Sequence, residues 1–467
     1  MKLSLTALRL AALAAVGLLA ACASMAPTYQ RPDAPVAATW PHDANVEGAV
    51  AAAEIEWQSF FPDQRLRELI ALSLQGNRDL RVAVLAIEQA RAQSQIRNAD
   101  LLPSVGAQAT ASRTPTSNGG TNSVYAAGLA VSAWEIDFFG RIRSLSDAAL
   151  AQYLATEEGR RAAQISLVAA VANSWLAIVA DEDLLALTRQ TLTSRQDSLR
   201  LARLRFENGV TSELDFRQAE SLTESARVTL AQLQRQRALD ENALVLLIGQ
   251  PLPAGLVASA GIDAITLPDL PAGAPSDLLA RRPDIRQSEQ QLIAANANIG
   301  AARAAFFPRI SLTAGIGTAS SELSGLFKSG SFGLTLAPQL LLPIFDAGRN
   351  QAGLQSANVG RDIAVAQYER SIQTAFREVA DALAGRATLA DQLQAQRAVA
   401  GAEAVRLRLS DLRYSNGVAS YLDLLDAQRS LFAAQQALVQ TRLTQLQSQV
   451  NLYKALGGGW SDGGASR

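Results

Sequence analysis

Asp423 and Asp426 stand three residues apart near the C-terminal end of the chain. On a helix that spacing puts both carboxylates on one face. They are either two ordinary solvated carboxylates or part of a charged constriction. A catalytic or metal centre is not available to them. The 467 residues contain one histidine, His42, and one cysteine, Cys22, whereas metal sites usually draw on His/Cys clusters. No glycine-rich phosphate loop follows a strand, and no nucleophile elbow is present. The residues therefore argue against an enzyme, and no metal or cofactor is expected. With 42 Lys+Arg against 43 Asp+Glu, there is also no basic field for nucleic acid.

The other residue with a chemistry of its own is Cys22. Lys2 and Arg9 precede an apolar run from Leu10 to Ala21, too short and badly placed for a transmembrane helix. The run ends Leu19-Ala20-Ala21-Cys22, which resembles a bacterial lipobox. That implies a diacylglycerol on the Cys22 thiol, cleavage before it and acylation of the new amine. Residues 1–21 are then a signal peptide and 22–61 a lipidated tether. Three acyl chains make a stable anchor. Residue 23 is Ala rather than Asp, which suggests sorting to the outer membrane. From Ala23 onward no apolar run of about 20 residues stands out, so a membrane crossing must be made by strands.

The elements that would position these residues come twice. Arg205-Phe206-Glu207-Asn208-Gly209-Val210-Thr211-Ser212-Glu213-Leu214-Asp215 returns 208 residues later as Arg413-Tyr414-Ser415-Asn416-Gly417-Val418-Ala419-Ser420-Tyr421-Leu422-Asp423. Asp79-Leu80-Arg81 returns as Asp284-Ile285-Arg286, and Gly140-Arg141 as Gly348-Arg349. Two copies of about 200 residues indicate internal duplication. The first repeat covers 62–250 and the second 284–456. A Pro/Gly/Ala-rich connector, 251–283, joins them, and 457–467 reads as a flexible tail. In each repeat a helical pattern gives way to alternation of period two, over 104–138 and again over 309–345. Each hairpin has strands of the length that tilted transmembrane strands need, roughly 9 to 11 residues. Tyr125, Trp134, Phe138, Phe332 and Phe345 would suit interfacial girdles. A long helical hairpin then follows, over 142–249 and 348–456. Its reversals are Asn208-Gly209 and Asn416-Gly417, where glycine supplies the positive φ. Arg141 and Arg349 open these helices and would snorkel at the membrane boundary. Four strands leave two open edges, which cost several kcal/mol per unpaired group in lipid. A membrane reading therefore forces oligomerisation.

The lipobox, the duplicated units, the Asn-Gly-Val tips and the run Tyr421-Leu422-Asp423-Leu424-Leu425-Asp426-Ala427-Gln428-Arg429-Ser430-Leu431 resemble the TolC/OprM outer-membrane channels. More narrowly, they resemble the NodT-type lipoproteins of RND efflux systems. The resemblance covers essentially the whole mature chain. It implies an α+β fold: a homotrimeric 12-stranded transmembrane β-barrel, four strands per chain, continuous with a long α-helical periplasmic barrel. It implies an equatorial belt from residues near 44 to 75, the connector and the tail. It implies an exit duct of a tripartite efflux pump, in which Asp423 and Asp426 form carboxylate rings at a periplasmic gate. Leu422 matches an apolar gate residue. Arg413 and Tyr414 match residues that tie the gate helices together. Asp215 is kept in the first repeat, but Gln218 stands where the second has Asp426. Ala419 replaces an arginine that some relatives place there. The tips, Asn208, Gly209, Val210, Thr211 and Ser212 with Asn416, Gly417, Val418, Ala419 and Ser420, would dock a periplasmic adaptor, and through it an inner-membrane pump. A protein-secretion duct and a periplasmic coiled-coil scaffold are the alternatives.

Overall fold

The computed structural model describes residues 24–41, 55–117, 119–253, 261–271, 273 and 275–460. Cys22 and His42 lie outside them. In chain order the elements are helices α1 (Trp57–Phe60), α2 (Gln64–Gly76) and α3 (Arg78–Ala99), then strands β1 (Val105–Pro115) and β2 (Thr121–Glu135). Helices α4 (Arg141–Glu207), α5 (Glu213–Ile248), α6 (Pro275–Arg281) and α7 (Pro283–Ala304) follow. Strands β3 (Arg309–Ser320) and β4 (Phe332–Leu341) and helices α8 (Arg349–Ser415) and α9 (Tyr421–Ala455) complete the order. The long helix of the first repeat passes straight through Gly159. One glycine costs a helix only about 1 kcal/mol against alanine. The helix also holds an apolar stretch that is long enough by composition to cross a membrane, which the sequence reading passed over. Most of that stretch is buried in protein: Ile165, Val168, Val171, Ala172, Trp175 and Leu176 are core residues.

The chain divides into two compact units, each taking material from both repeats. One takes residues up to Ala34, Leu85–Glu158 and Arg286–Ser371. It contains an antiparallel sheet in the order β1-β2-β3-β4. Residues paired in register share a face. Val105 pairs with Val131, Ala107 with Leu129, Leu129 with Ile316, Ile316 with Leu334 and Ala314 with Leu336. One face is therefore apolar across all four strands. The other carries Gln108, Gly128, Gly315, Gly317, Thr335 and Gln339. The phase of β2 would fail at Trp134, an even-numbered residue in an odd-numbered stripe. A bulge between Val131 and Trp134 inserts one residue, with Ala133 at φ 45°, and puts Trp134 opposite Leu312. Gly128 pairs with Gly317 on the small-residue face. A Cβ on either would stand 2.3 Å from a backbone carbonyl oxygen of the opposite strand. All residues of the outer strands β1 and β4 are exposed.

In the same unit the N-terminal segment is not a free tether. It runs antiparallel along α7. Arg303 Nη1 donates to Met25 O at 3.2 Å and Asn296 Nδ2 to Pro27 O at 2.7 Å. Glu289 accepts from Tyr29 Oη at 3.0 Å and from both arms of Arg31 at 2.7 and 2.8 Å. Residues 289, 296 and 303 are seven apart, one stripe of the helix. Arg141 is likewise engaged within the protein: it forms a two-pronged ion pair with Glu135, at 2.8 and 2.7 Å. That accounts for its charge without snorkelling.

The second unit takes Pro35–Val84, Gly159–Ile285 and Ile372–Arg467. Its core joins Phe60 and Phe61 to Tyr453, whose ring stacks on Phe60 at 4.1 Å. The start of the tail is packed rather than flexible. Gly458 lies against the Tyr453 ring, and the Arg161 guanidinium stacks over Trp460 at 5.3 Å. Residues 461–467 lie outside the description.

Candidate site at the helical tips

The tips belong to the second unit, and both are built by one local rule. Each long helix ends in a pair of bonds around a left-handed glycine. Val210 N donates to Arg205 O at 2.8 Å and Gly209 N to Phe206 O at 2.9 Å; Gly209 has φ 71°. In the second repeat Val418 N donates to Arg413 O at 2.9 Å and Gly417 N to Tyr414 O at 3.0 Å, with Gly417 at φ 76°. This is the Schellman arrangement, which satisfies the last helical carbonyls. Asn208 and Asn416 add a side-chain bond each, Nδ2 to the carbonyl of Leu204 or Leu412, both at 2.7 Å.

The returning helices start just as regularly. Ser212 Oγ accepts from Asp215 N at 3.2 Å, and Ser420 Oγ accepts from Asp423 N at 3.3 Å. Asp423 Oδ2 in turn accepts from Ser420 N at 3.2 Å, closing a capping box. Asp215 Oδ2 accepts from Thr211 Oγ1 at 2.7 Å and Ser212 Oγ at 2.9 Å. These bonds, with that to Thr211 foremost, hold the Asp215 carboxyl below its ordinary range. Asp215 and Asp423 are thus cap residues first. Their Ser-x-x-Asp signature was legible in the sequence and was missed there.

Asp426 is placed differently. It accepts from Arg406 on α8, which also pairs with Glu403 at 3.2 Å and donates to Ser430 Oγ at 3.3 Å. Asp426 and Asp423 therefore lie on one helix face but serve separate partners. Leu422 is exposed, as are Val210, Leu214 and Val418. These four form two pairs related by the repeat and give each tip an apolar end. Ala419 is half-buried.

Within this chain Tyr414 ties two helices together. Its hydroxyl accepts from Arg205 Nη1, and the Arg205 guanidinium lies over its ring at 5.2 Å. Arg205 is the first-repeat counterpart of Arg413. The Arg413 side chain is exposed and makes no ion pair among the described residues. Tyr414 also packs against Tyr421 at 5.2 Å, and Tyr421 joins a core of Ala202, Ala219, Leu222, Leu424 and Leu425. Burial foremost, then Tyr414 and Asp215, pushes the Tyr421 hydroxyl up to about 12. Beside this cluster lies a cavity of about 440 Å³ bordered by Leu201, Arg205, Arg408, Asp411, Tyr414 and Tyr421. Arg205 had a sequence signal, its alignment with Arg413. Arg406 had none, since nothing in the chain marks it as facing Asp426.

The family model described as "Outer membrane efflux protein" matches residues 69–250 and 274–458. The chain is 50% identical over 448 residues to the toluene efflux pump outer membrane protein TtgC of Pseudomonas putida, covering 94% of this chain and 93% of that one. It is 47% identical over 453 residues to the outer membrane protein OprJ of Pseudomonas aeruginosa, covering 95% and 94%. The structure of the open state of the Neisseria gonorrhoeae MtrE outer membrane channel superposes with a TM-score of 0.86 at 41% identity, covering 94% of this chain and 99% of that one.

Proposed function

We propose that this chain, which belongs to the outer membrane efflux protein family, is the gated exit duct of a tripartite RND-type pump, passing small molecules outward. It is an outer-membrane protein. The observation that carries the duct reading is the sheet. One face is apolar over four strands, the other is small and polar, and both edges are unpaired among the described residues. An apolar face suits lipid and a polar face suits a water-filled lumen. Open edges in hydrocarbon are too costly to persist. Closure by three copies gives 12 strands and removes every edge. Cys22 carries the lipid that holds the N-terminus to the same membrane.

The tips supply the gate and the docking surface. Leu422, Asp423 and Asp426 line the constriction; Arg205 and Tyr414 hold the two hairpins of one chain together behind it. The exposed Val210, Leu214, Val418 and Leu422 offer apolar ends to a periplasmic adaptor, with Asn208–Ser212 and Asn416–Ser420 as the docking loops. The test is complementation. In a strain lacking its own outer-membrane efflux component, this chain with its adaptor and pump must lower accumulation of a fluorescent efflux substrate. Unchanged accumulation, with the protein assembled in the outer membrane, contradicts the export reading.

A further inference from the structure

Away from the tips, the first helical hairpin buries a carboxyl without a donor. Asp181 on α4 is 6% exposed, and its Oδ2 has no hydrogen-bond partner. It faces Asp240 on α5. Asp240 Oδ2 accepts from Gln236 Nε2 at 3.1 Å. The other charges acting on Asp181 are Glu182 from α4 and Arg237 from α5. Arg237 is already engaged twice, by Glu182 and by Glu241. Asp183 turns away and accepts from Ile262 N of the connector at 2.7 Å. The guanidinium is thus held by Glu182 and Glu241, and the buried Asp181 meets another acid.

The second repeat shows that the fold does not require this. At the same offset of 208, Asp181, Glu182, Arg237, Asp240 and Glu241 are replaced by Leu389, Ala390, Gln445, Ser448 and Gln449. There Gly385 lies against Ser448, and a Cβ on it would stand 2.5 Å from Ser448 Oγ. The acid pair is an addition to one hairpin only.

We propose that Asp181 and Asp240 share one proton and form a pH-sensitive clasp between α4 and α5. Two acids in contact, one of them desolvated, do not both stay ionised. With a proton between them, one carboxyl donates to the other and Asp181 gains the donor it lacks. Without it, the buried negative charge of Asp181 and the half-buried one of Asp240 repel and the hairpin loosens. Burial foremost, then Asp240, pushes the Asp181 carboxyl up to about 7. An aspartate released to water titrates at about 3.9. Between about pH 4 and 7 the closed hairpin therefore holds a proton that the open one has lost. Acid tightens the clasp. Its opening constant rises with pH by up to about tenfold per unit in that window and levels off above it. The clasp concerns the hairpin itself and stands apart from the export reading.

The experiment follows hydrogen exchange of the full-length protein in detergent from pH 5 to 8, normalised for intrinsic exchange. The probes are the amides of α4 near Asp181 and of α5 near Asp240. In wild type the normalised opening should rise up to about tenfold per unit from pH 5 to about 7, then flatten. Asp181→Asn keeps a donor toward Asp240 and should be flat, with opening held at the acid wild-type level. Asp240→Asn removes the neighbouring charge and gives Asp181 a fixed donor but leaves it buried, so its slope should be confined to lower pH than in wild type. It supplies the readout if Asp181→Asn fails to assemble. A flat wild-type profile, or a wild-type slope persisting in the assembled variants, overturns the proposal.

Discussion

Arg205 and Arg413 occupy equivalent places in the two repeats, yet their removal should have unequal consequences. Arg205 donates to the Tyr414 hydroxyl and lies over its ring; Arg413 is exposed and unpaired among the described residues. A hydrogen bond to a charged group contributes about 1.5–3 kcal/mol, and the half-exposed setting of Tyr414 argues for the lower end. Tyr414→Phe removes that bond and keeps the ring. The loss of about 1.5 kcal/mol shifts the balance toward the unlatched tip about tenfold per chain. Arg205→Ala also removes the stacking, worth about 0.5–1 kcal/mol at an exposed site, for a shift of about thirtyfold. If three chains unlatch together the factors multiply. Arg413→Ala removes nothing that holds the hairpins and should leave the balance within about twofold, as surface substitutions do. The assay is open probability in planar bilayers for each variant, with assembly verified. Opening by Arg413→Ala as large as that by Arg205→Ala, or no change in either Tyr414→Phe or Arg205→Ala, would rule out this latch.

Four further outcomes are expected. Gly417→Ala forces an alanine to φ 76° and should cost about 1–2 kcal/mol, read as a lower midpoint of thermal unfolding; Gly401→Ala, in open space within α8, should not lower it. Ser420→Ala removes the cap of α9 and should raise local amide exchange at the tip by the equivalent of about 1 kcal/mol. Gly128→Val should block sheet formation, because its Cβ meets a carbonyl oxygen at 2.3 Å, and the assembled, heat-modifiable species should vanish from gels. Asp215 contributes stability that is complete above about pH 4, where an unfolded aspartate is ionised. That contribution fades as pH falls through the depressed folded value, and Thr211→Val should shift the acid unfolding midpoint upward.

Much of this architecture was legible because period and punctuation are local properties. The change from helical spacing to alternation at Val105 and Arg309, and the Asn-Gly pairs at both tips, mark elements that the structure places close by. The bulge before Trp134 was not legible. A one-residue phase slip looks like a flaw in alternation until the partner strand supplies the register. The path of the N-terminal segment along α7 escaped for a similar reason: reading residues 22–61 as a tether does not reveal the stripe of Glu289, Asn296 and Arg303 that receives it. At the tips, the carboxylate pair was correctly placed on one helix face. Their partners differ because Asp423 lies within reach of its own N-cap, while Asp426 meets Arg406 from another helix. Pairings between distant helices are fixed by packing, so spacing along one helix could not reveal them.

We propose a gated duct whose constriction is at the second-repeat tip. Its most direct test is the conductance of the purified protein in planar bilayers, compared with the Asp423→Ala/Asp426→Ala variant. The expected result is a small wild-type conductance that rises sharply in the variant. Large and equal conductance in both would place the gate elsewhere, and none in either, with insertion verified, would contradict the duct itself.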